Sequence, residues 1–172
     1  MKRLVPLVFV LTFLAITAPS QETTGKHDCP IAKPATDSKF EPGQVWEYKT
    51  RDGEEKSTIT ILKIEDFPKV GIIVHIRIDH IRLHNCAGGN SPDTIEHAPF
   101  LRSAIEASVT KLVKKDSVPD FSDGYAQWVI DCGGIYSITV AEMLEADEYI
   151  FRKGLGCHDP EPVSAPTSSA SR

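Results

Sequence analysis

The segment that decides the fold is Ile72-Ile73-Val74-His75-Ile76-Arg77-Ile78-Asp79-His80-Ile81-Arg82-Leu83-His84. Apolar residues occupy every even position from 72 to 78 and then the odd positions 81 and 83. Because the side chains of a strand alternate between two faces, this pattern predicts a long strand with one buried face, from Ile72 to about His84. The change of parity at Asp79-His80 needs one extra residue, so a β-bulge or bend is expected there.

Two shorter segments before this strand show the same alternation. Residues 44–50 and 57–65 are separated by a turn, 51–55, that contains an Asp-Gly pair. A second turn is marked by Pro68 and Gly71. Asp-Gly between alternating segments is a strong hairpin signal, so the three strands are expected to form an antiparallel meander.

The second half of the core domain mixes helical and extended patterns. Pro99 fits the first turn of a helix that runs to about Lys115, and a shorter helix holds Tyr125 and Trp128. Residues 135–139 predict a fourth strand, and Thr139 with Glu142 predicts a capping box that opens the last helix. The predicted fold is α+β, with a four-stranded antiparallel sheet and about three helices packed mainly on one face.

The two ends of the chain differ in composition from its middle. Residues 1–20 have a positive start, an apolar run and small residues before Gln21, as in a cleaved signal peptide. An uncleaved membrane anchor is the alternative. Residues 21–39 predict an extended segment, 40–158 a single domain and 159–172 a disordered tail. The expected location is therefore the periplasm or the medium, with no membrane span after leader removal.

Four cysteines follow the leader, and an even number in an exported chain indicates two disulfides. Four cysteines allow three pairings, and the preferred one joins Cys29 to Cys157 and Cys86 to Cys132. No C-x-x-C occurs, which excludes a zinc-ribbon half-site and a thioredoxin-type redox site.

Charge and motifs exclude several classes of function. Acidic side chains outnumber Lys and Arg by 24 to 19 without any basic run, which argues against nucleic-acid binding. Nucleophile-elbow, zincin, P-loop and dinucleotide-binding motifs are absent. His80 and His84 lie about 13 Å apart on a strand and cannot bind one ion. We therefore predict neither a cofactor nor a metal.

The best candidate site consists of His75, Arg77 and Asp79, which project from one face of the third strand about 7 Å apart. A histidine near a carboxylate can act as acid or base at neutral pH, and an arginine can hold an anion. His97 is a further candidate. A solvated sheet face with neighbouring opposite charges is the favoured interpretation, and Tyr125 and Trp128 are predicted to pack in the core.

Three stretches of the chain resemble a family of small uncharacterised bacterial proteins. They are Gly43-Gln44-Val45-Trp46-Glu47-Tyr48-Lys49-Thr50-Arg51, Lys69-Val70-Gly71-Ile72-Ile73-Val74-His75-Ile76 and Asp93-Thr94-Ile95-Glu96-His97-Ala98-Pro99-Phe100. The resemblance extends over about residues 40–146. It implies a bacterial source and a shared fold, and it implies no reaction, cofactor or partner.

The absence of a convincing catalytic set favours a non-catalytic binding or interaction module of the cell envelope, such as an inhibitor or protective partner. Its partner is expected to be another envelope protein or a small ligand. The first alternative is a small hydrolase or ligand-processing enzyme that uses His75, Asp79 and His97. The second is a structural envelope protein whose tail acts as a spacer.

Overall fold

The computed structural model describes Cys29 and residues 31–157. Its strands are β1 (Lys33–Pro34), β2 (Gln44–Tyr48), β3 (Thr58–Phe67), β4 (Gly71–Asp79), β5 (Thr94–Leu101) and β6 (Val109–Lys115). Its helices are α1 (Arg102–Ser108), α2 (Ser122–Ile130) and α3 (Val140–Gly154). The predicted leader and tail, and part of the predicted extended segment, lie outside the described residues. Among the described helices, none has the length and apolarity that a membrane crossing requires.

The strands form one antiparallel sheet in the order β5-β4-β3-β2-β6, and β1 pairs with the far end of β3. The α+β class and the predicted meander of β2, β3 and β4 are confirmed. The sheet has six strands rather than the expected four. The stretch predicted as a fourth strand, 135–139, contributes a single bridge from Tyr136 to Phe100.

The predicted helix from Pro99 to Lys115 is wrong: the region consists of β5, α1 and β6 in succession. Pro99 is tolerated in β5 because the carbonyl oxygen of this residue accepts a hydrogen bond from Tyr136, away from β4. The N–H and C=O of one strand residue point to the same side, so the missing donor of Pro99 falls on the outer edge of the sheet. Only the seven residues of α1 keep the helical pattern.

The long predicted strand ends early, because β4 stops at Asp79 and His80 adopts a left-handed φ of 60°. The chain leaves the sheet there, and this exit accounts for the change of parity. The expected bend is therefore present at His80, and a register shift lies on the neighbouring strand, where Ile76 pairs with Ala98 and Ile78 with Ile95. The extra residue is therefore in β5, next to His97.

The main core lies between the sheet and two helices. Even-numbered residues of β4 pack with Ile105 of α1 and with Met143 and Leu144 of α3. Helix α3 begins with the predicted capping box of Thr139 and Glu142. The opposite sheet face carries His75 and His97, and α2 covers it through aromatic side chains. Helices thus lie on both faces of the sheet, two on one and one on the other.

The predicted disulfide pairing is wrong. Cys29 pairs with Cys132 across a Cα separation of 5.4 Å, and Cys86 pairs with Cys157 across 5.9 Å. Cys132 follows α2 directly, so its disulfide fastens the end of this helix to the segment before β1. Cys157 follows α3, so the second disulfide fastens that helix to the loop after β4. Cysteine spacing alone carries no information about these packing neighbours.

Candidate functional site

Three polar side chains meet on the sheet face beneath α2. Glu65 belongs to β3, His75 to β4 and His97 to β5, so three adjacent strands each contribute one group. Glu65 is 2 % exposed and His75 is fully buried. Buried charged and polar groups are costly unless they are paired, which makes this cluster the least ordinary feature of the sheet.

The three side chains form a chain of close contacts. Oε2 of Glu65 lies 3.0 Å from Nε2 of His75, and Nδ1 of His75 lies 2.8 Å from Nε2 of His97. The first contact is close but not linear, since Nε2 of His75 makes no well-directed hydrogen bond. The second contact is a hydrogen bond between two rings whose planes differ by 19°.

These contacts assign the protons on both rings. A lone pair on Nε2 of His75 would face the carboxylate lone pairs of Glu65, so we place the proton on that nitrogen. Nδ1 of His75 then accepts the hydrogen bond, and Nε2 of His97 donates it. Nδ1 of His97 is left as an acceptor, and it is not among the enclosed unpartnered atoms of the described residues.

Glu65 has two further partners. The hydroxyl of Tyr125 donates to both carboxylate oxygens at 3.1 Å, and Nζ of Lys63 lies 2.7 Å from Oε1. Nζ of Lys63 also lies 4.0 Å from the centre of the Tyr125 ring. Helix α2 is therefore tied to β3 through a carboxylate that is saturated with donors.

Burial keeps both histidines neutral. Desolvation lowers the pKa of His75 to about 4, the neighbouring His97 acts in the same direction, and Glu65 opposes the shift. Desolvation also lowers the pKa of His97. At neutral pH both imidazoles are therefore uncharged.

Helix α2 approaches the sheet closely at Gly124. A β-carbon on this residue would lie 2.8 Å from the β-carbon of His97, closer than side chains normally approach. The ring of Trp128 meets His75 edge-on, with 5.1 Å between ring centres. Trp128 and Tyr125 thus cover the histidines and line cavities as well, rather than packing in the main core as the sequence predicted.

Two cavities flank Trp128. The first, here called the apolar cavity, has a volume of about 460 Å³, and its walls include Phe67, Val70, Val129, Ile135 and the Cys29–Cys132 disulfide. The second, here called the His97 cavity, has a volume of about 610 Å³ and is lined by His97, Tyr136, Asp131 and Asp147, among others. Trp128 and Gly134 line both cavities. The two cavities together are called the α2 cleft below.

Another cavity, of about 570 Å³, lies near Arg51 on a different part of the molecule. Arg51 donates to both carboxylate oxygens of Glu54, to Glu148 and to the carbonyl oxygens of Leu144 and Arg82. This guanidinium is saturated, and the network joins α3 to the turn before β3. It explains the packing of these elements and leaves Arg51 with no free donor for a ligand.

The predicted site residues are only partly brought together. His75 and His97 are in contact, but Asp79 lies four residues along β4 from His75, about 13 Å away. Asp79 forms an ion pair with Arg77 at 2.8 Å, so Arg77 is not free for an anion. The expected solvated face is wrong at His75, which is buried, whereas Arg77 and Asp79 remain partly exposed.

Sequence reasoning missed Glu65, although a signal was present. The predicted turn at 68–71 fixes how β3 and β4 pair, with Lys63 opposite His75 and Glu65 opposite Ile73. Lys63, Glu65 and His75 therefore share one face, and pairing the two strands across the turn would have placed the carboxylate beside the histidine.

Within the part of the chain that the structure describes, no group of His, Cys, Asp or Glu side chains is arranged to hold a metal ion. No protein-family model matches the chain, and no curated protein and no solved structure matches it.

Proposed function

We propose that this chain is a non-catalytic binding module and that the α2 cleft is its binding site, which takes a small molecule with a substantial apolar part. The observation that carries the proposal is the pair of cavities that meet at Trp128. Concave, largely apolar sites with a few placed polar groups are typical of small-molecule binding. Here the polar groups are those around His97.

Export to the periplasm or the medium is part of this proposal. The two disulfides favour an oxidising compartment, and one of them forms a wall of the apolar cavity. The Cys29–Cys132 disulfide holds the end of α2 in place, so the cleft depends on oxidation. The predicted leader is consistent with the same location.

The test uses Trp128 as a reporter. Substituting Trp46→Phe leaves Trp128 as the only tryptophan, because the chain contains two. We expect the neutral dye N-phenyl-1-naphthylamine to quench the emission of Trp128 in a saturable way. Substituting Gly134→Phe in the same background should abolish the quenching, since Gly134 lines both cavities and a β-carbon there would meet no atom within 4 Å.

The matched control is Gly154→Phe, at the end of α3. This glycine also has open space around it, and it lines neither cavity. Quenching should persist in this variant. The proposal would be refuted if the Gly134→Phe and Gly154→Phe variants bound the dye equally. It would also be refuted if neither variant bound the dye, or if the parent did not bind it.

The second candidate function is a small hydrolase or ligand-processing enzyme. The contacts from Glu65 through His75 to His97 support it, because they orient His97 and leave Nδ1 as a base. Glu65 takes the place that the sequence assigned to Asp79. Among the described residues that line the His97 cavity there is no serine, threonine or cysteine, so the base would have to activate water.

Hydrolysis of p-nitrophenyl acetate distinguishes this candidate from the first. Turnover that disappears in His97→Gln and persists in His84→Gln would favour the enzyme. A background rate in all three proteins, together with dye binding in the α2 cleft, would favour the binding module.

The structural envelope protein remains a third proposal. It rests on the predicted tail, 159–172, which lies outside the described residues. Deletion of that tail should impair localisation and leave dye binding unchanged.

A further inference from the structure

The His97 cavity has an unbalanced charge. Two carboxylates, Asp131 and Asp147, line it, and the described residues of its lining include neither lysine nor arginine. Asp131 accepts a hydrogen bond from Nε2 of Gln127 at 2.8 Å. The side chain of Asp147 makes no hydrogen bond or ion pair with any described residue.

Asp147 is also only half-exposed, and burial raises the pKa of its carboxyl group. Desolvation raises the pKa of the Tyr136 phenol, and the nearby negative charge of Asp147 acts in the same direction. A partly desolvated carboxylate without a partner is unfavourable in the free protein, and a cation from outside would relieve it.

Aromatic rings complete this environment. Trp128 and Tyr136 line the cavity together with His97. The faces of such rings attract organic cations, and the attraction grows when the cation leaves water. His97 contributes an acceptor rather than a positive charge, because its ring is neutral and Nδ1 carries no proton in the assignment above.

We infer that the ligand of the α2 cleft is an amphipathic amine, whose ammonium group enters the His97 cavity towards Asp147 and whose apolar part passes Trp128 into the apolar cavity. This inference rests on the proposed binding function and names its ligand class. A carboxylate or phosphate ligand would be repelled by the carboxylates of Asp131 and Asp147 and by the lone pair on Nδ1 of His97. A neutral alcohol can donate to His97 but leaves Asp147 uncompensated.

The test compares three ligands with the same eight-carbon chain: octylamine, 1-octanol and octanoate. Each displaces N-phenyl-1-naphthylamine from the Trp46→Phe protein at pH 7. We expect octylamine to bind about tenfold more tightly than octanol, and octanoate to bind more weakly than both. The preference for the amine should shrink as salt is added, because a partly exposed ion pair is screened.

Asp147→Asn should reduce the affinity for octylamine to about that of octanol, about a tenfold loss, while the affinity for octanol stays the same. The matched control is Glu145→Gln, which removes one negative charge from the exposed side of the same helix. It should leave the preference for the amine intact.

The failures of the two proposals are distinguishable. If octanol or octanoate binds as tightly as octylamine, or if Asp147→Asn keeps the preference for the amine, the ligand class is wrong and the cleft remains a binding site. If the dye does not bind, or if Gly134→Phe leaves it bound, the cleft is not a binding site and both proposals fall together.

Discussion

Nδ1 of His75 lies 2.8 Å from Nε2 of His97, and the two rings stack with 5.1 Å between their centres. The pair forms between neighbouring strands because the extra residue of β5 lies just before Ala98. Bulges often direct a side chain at functional sites, and here the bulge lies beside His97. The contact leaves Nδ1 of His97 as an acceptor and connects this ring, through His75, to the buried carboxylate of Glu65.

Glu65 is expected to be the most sensitive residue of this cluster. Substituting Glu65→Leu removes the acceptor of Tyr125 and Lys63, so we expect unfolding in urea to show a loss of about 2–4 kcal/mol. Glu65→Gln keeps the shape and part of the hydrogen bonding and should lose less. Glu96→Gln, at an exposed position of β5, is the control and should change stability by less than about 0.5 kcal/mol. A Leu variant as stable as the control would contradict the assigned network.

The histidine pair predicts a pH dependence of stability. The pKa of His75 is about 4 in the folded chain and is ordinarily near 6.5, so the unfolded chain takes up this proton first as the pH falls. Stability should therefore decrease from about pH 6.5 to pH 4, by about 3 kcal/mol for His75. His97, whose pKa is also lowered, acts in the same direction.

Urea unfolding between pH 4 and pH 7 measures this slope. His75→Phe should be less stable at pH 7, because His97 loses its acceptor, but its stability should vary less with pH. His84→Gln replaces an exposed histidine and should keep the slope of the parent. A slope that survives in His75→Phe would assign the pH dependence to other groups.

Gly124→Ala tests the close approach of α2. Alanine is normally favoured over glycine inside a helix by about 1 kcal/mol. Here its β-carbon would lie 2.8 Å from the β-carbon of His97, so we expect a net loss of about 1–3 kcal/mol and weaker dye binding. Gly154→Ala in α3 has open space and should be neutral or stabilising. His97→Ala should not rescue the variant, because the contacting atom is the β-carbon itself.

How far the sequence predicted this molecule depends on the range of the interactions involved. The meander and the capping box of α3 follow from local patterns, and both are confirmed. The strand around Pro99 was missed because a proline at this place is typical of the first turn of a helix. Only the hydrogen bond from Tyr136 shows that the side of Pro99 without an N–H faces the outer edge of the sheet. The carboxylate was misassigned to Asp79 because same-strand spacing was considered, whereas Glu65 reaches His75 across strands.

The two disulfides should differ in their effect on the α2 cleft. They span 103 and 71 residues, so replacing either pair with serine should cost about 2–5 kcal/mol of stability. Cys29→Ser with Cys132→Ser removes a wall of the apolar cavity and should weaken dye binding strongly. Cys86→Ser with Cys157→Ser should bind the dye as the parent does, measured at a temperature where both proteins are folded. Equal dye binding by the two variants would show that the α2 cleft does not depend on the Cys29–Cys132 disulfide.

Asp147 is expected to reduce the stability of the free protein. Burial raises the pKa of this carboxyl group, so its charged form is disfavoured in the folded chain relative to the unfolded one. Its contribution to stability therefore falls as the pH rises from its ordinary pKa to its raised one, opposite in sign to the contribution of His75. Because the group is half-exposed, the effect at pH 7 should be less than about 1 kcal/mol.

Asp147→Asn should accordingly raise the melting temperature at pH 7 by up to a few degrees, measured by thermal unfolding with Glu145→Gln as the control. Addition of octylamine should stabilise the parent more than the Asn variant, since the amine compensates a charge that the variant lacks. A group that destabilises the free protein, and whose charge a bound ligand compensates, is typical of a binding site. An Asn variant less stable than the parent would show that Asp147 already has a favourable partner, and the inferred amine site would be wrong.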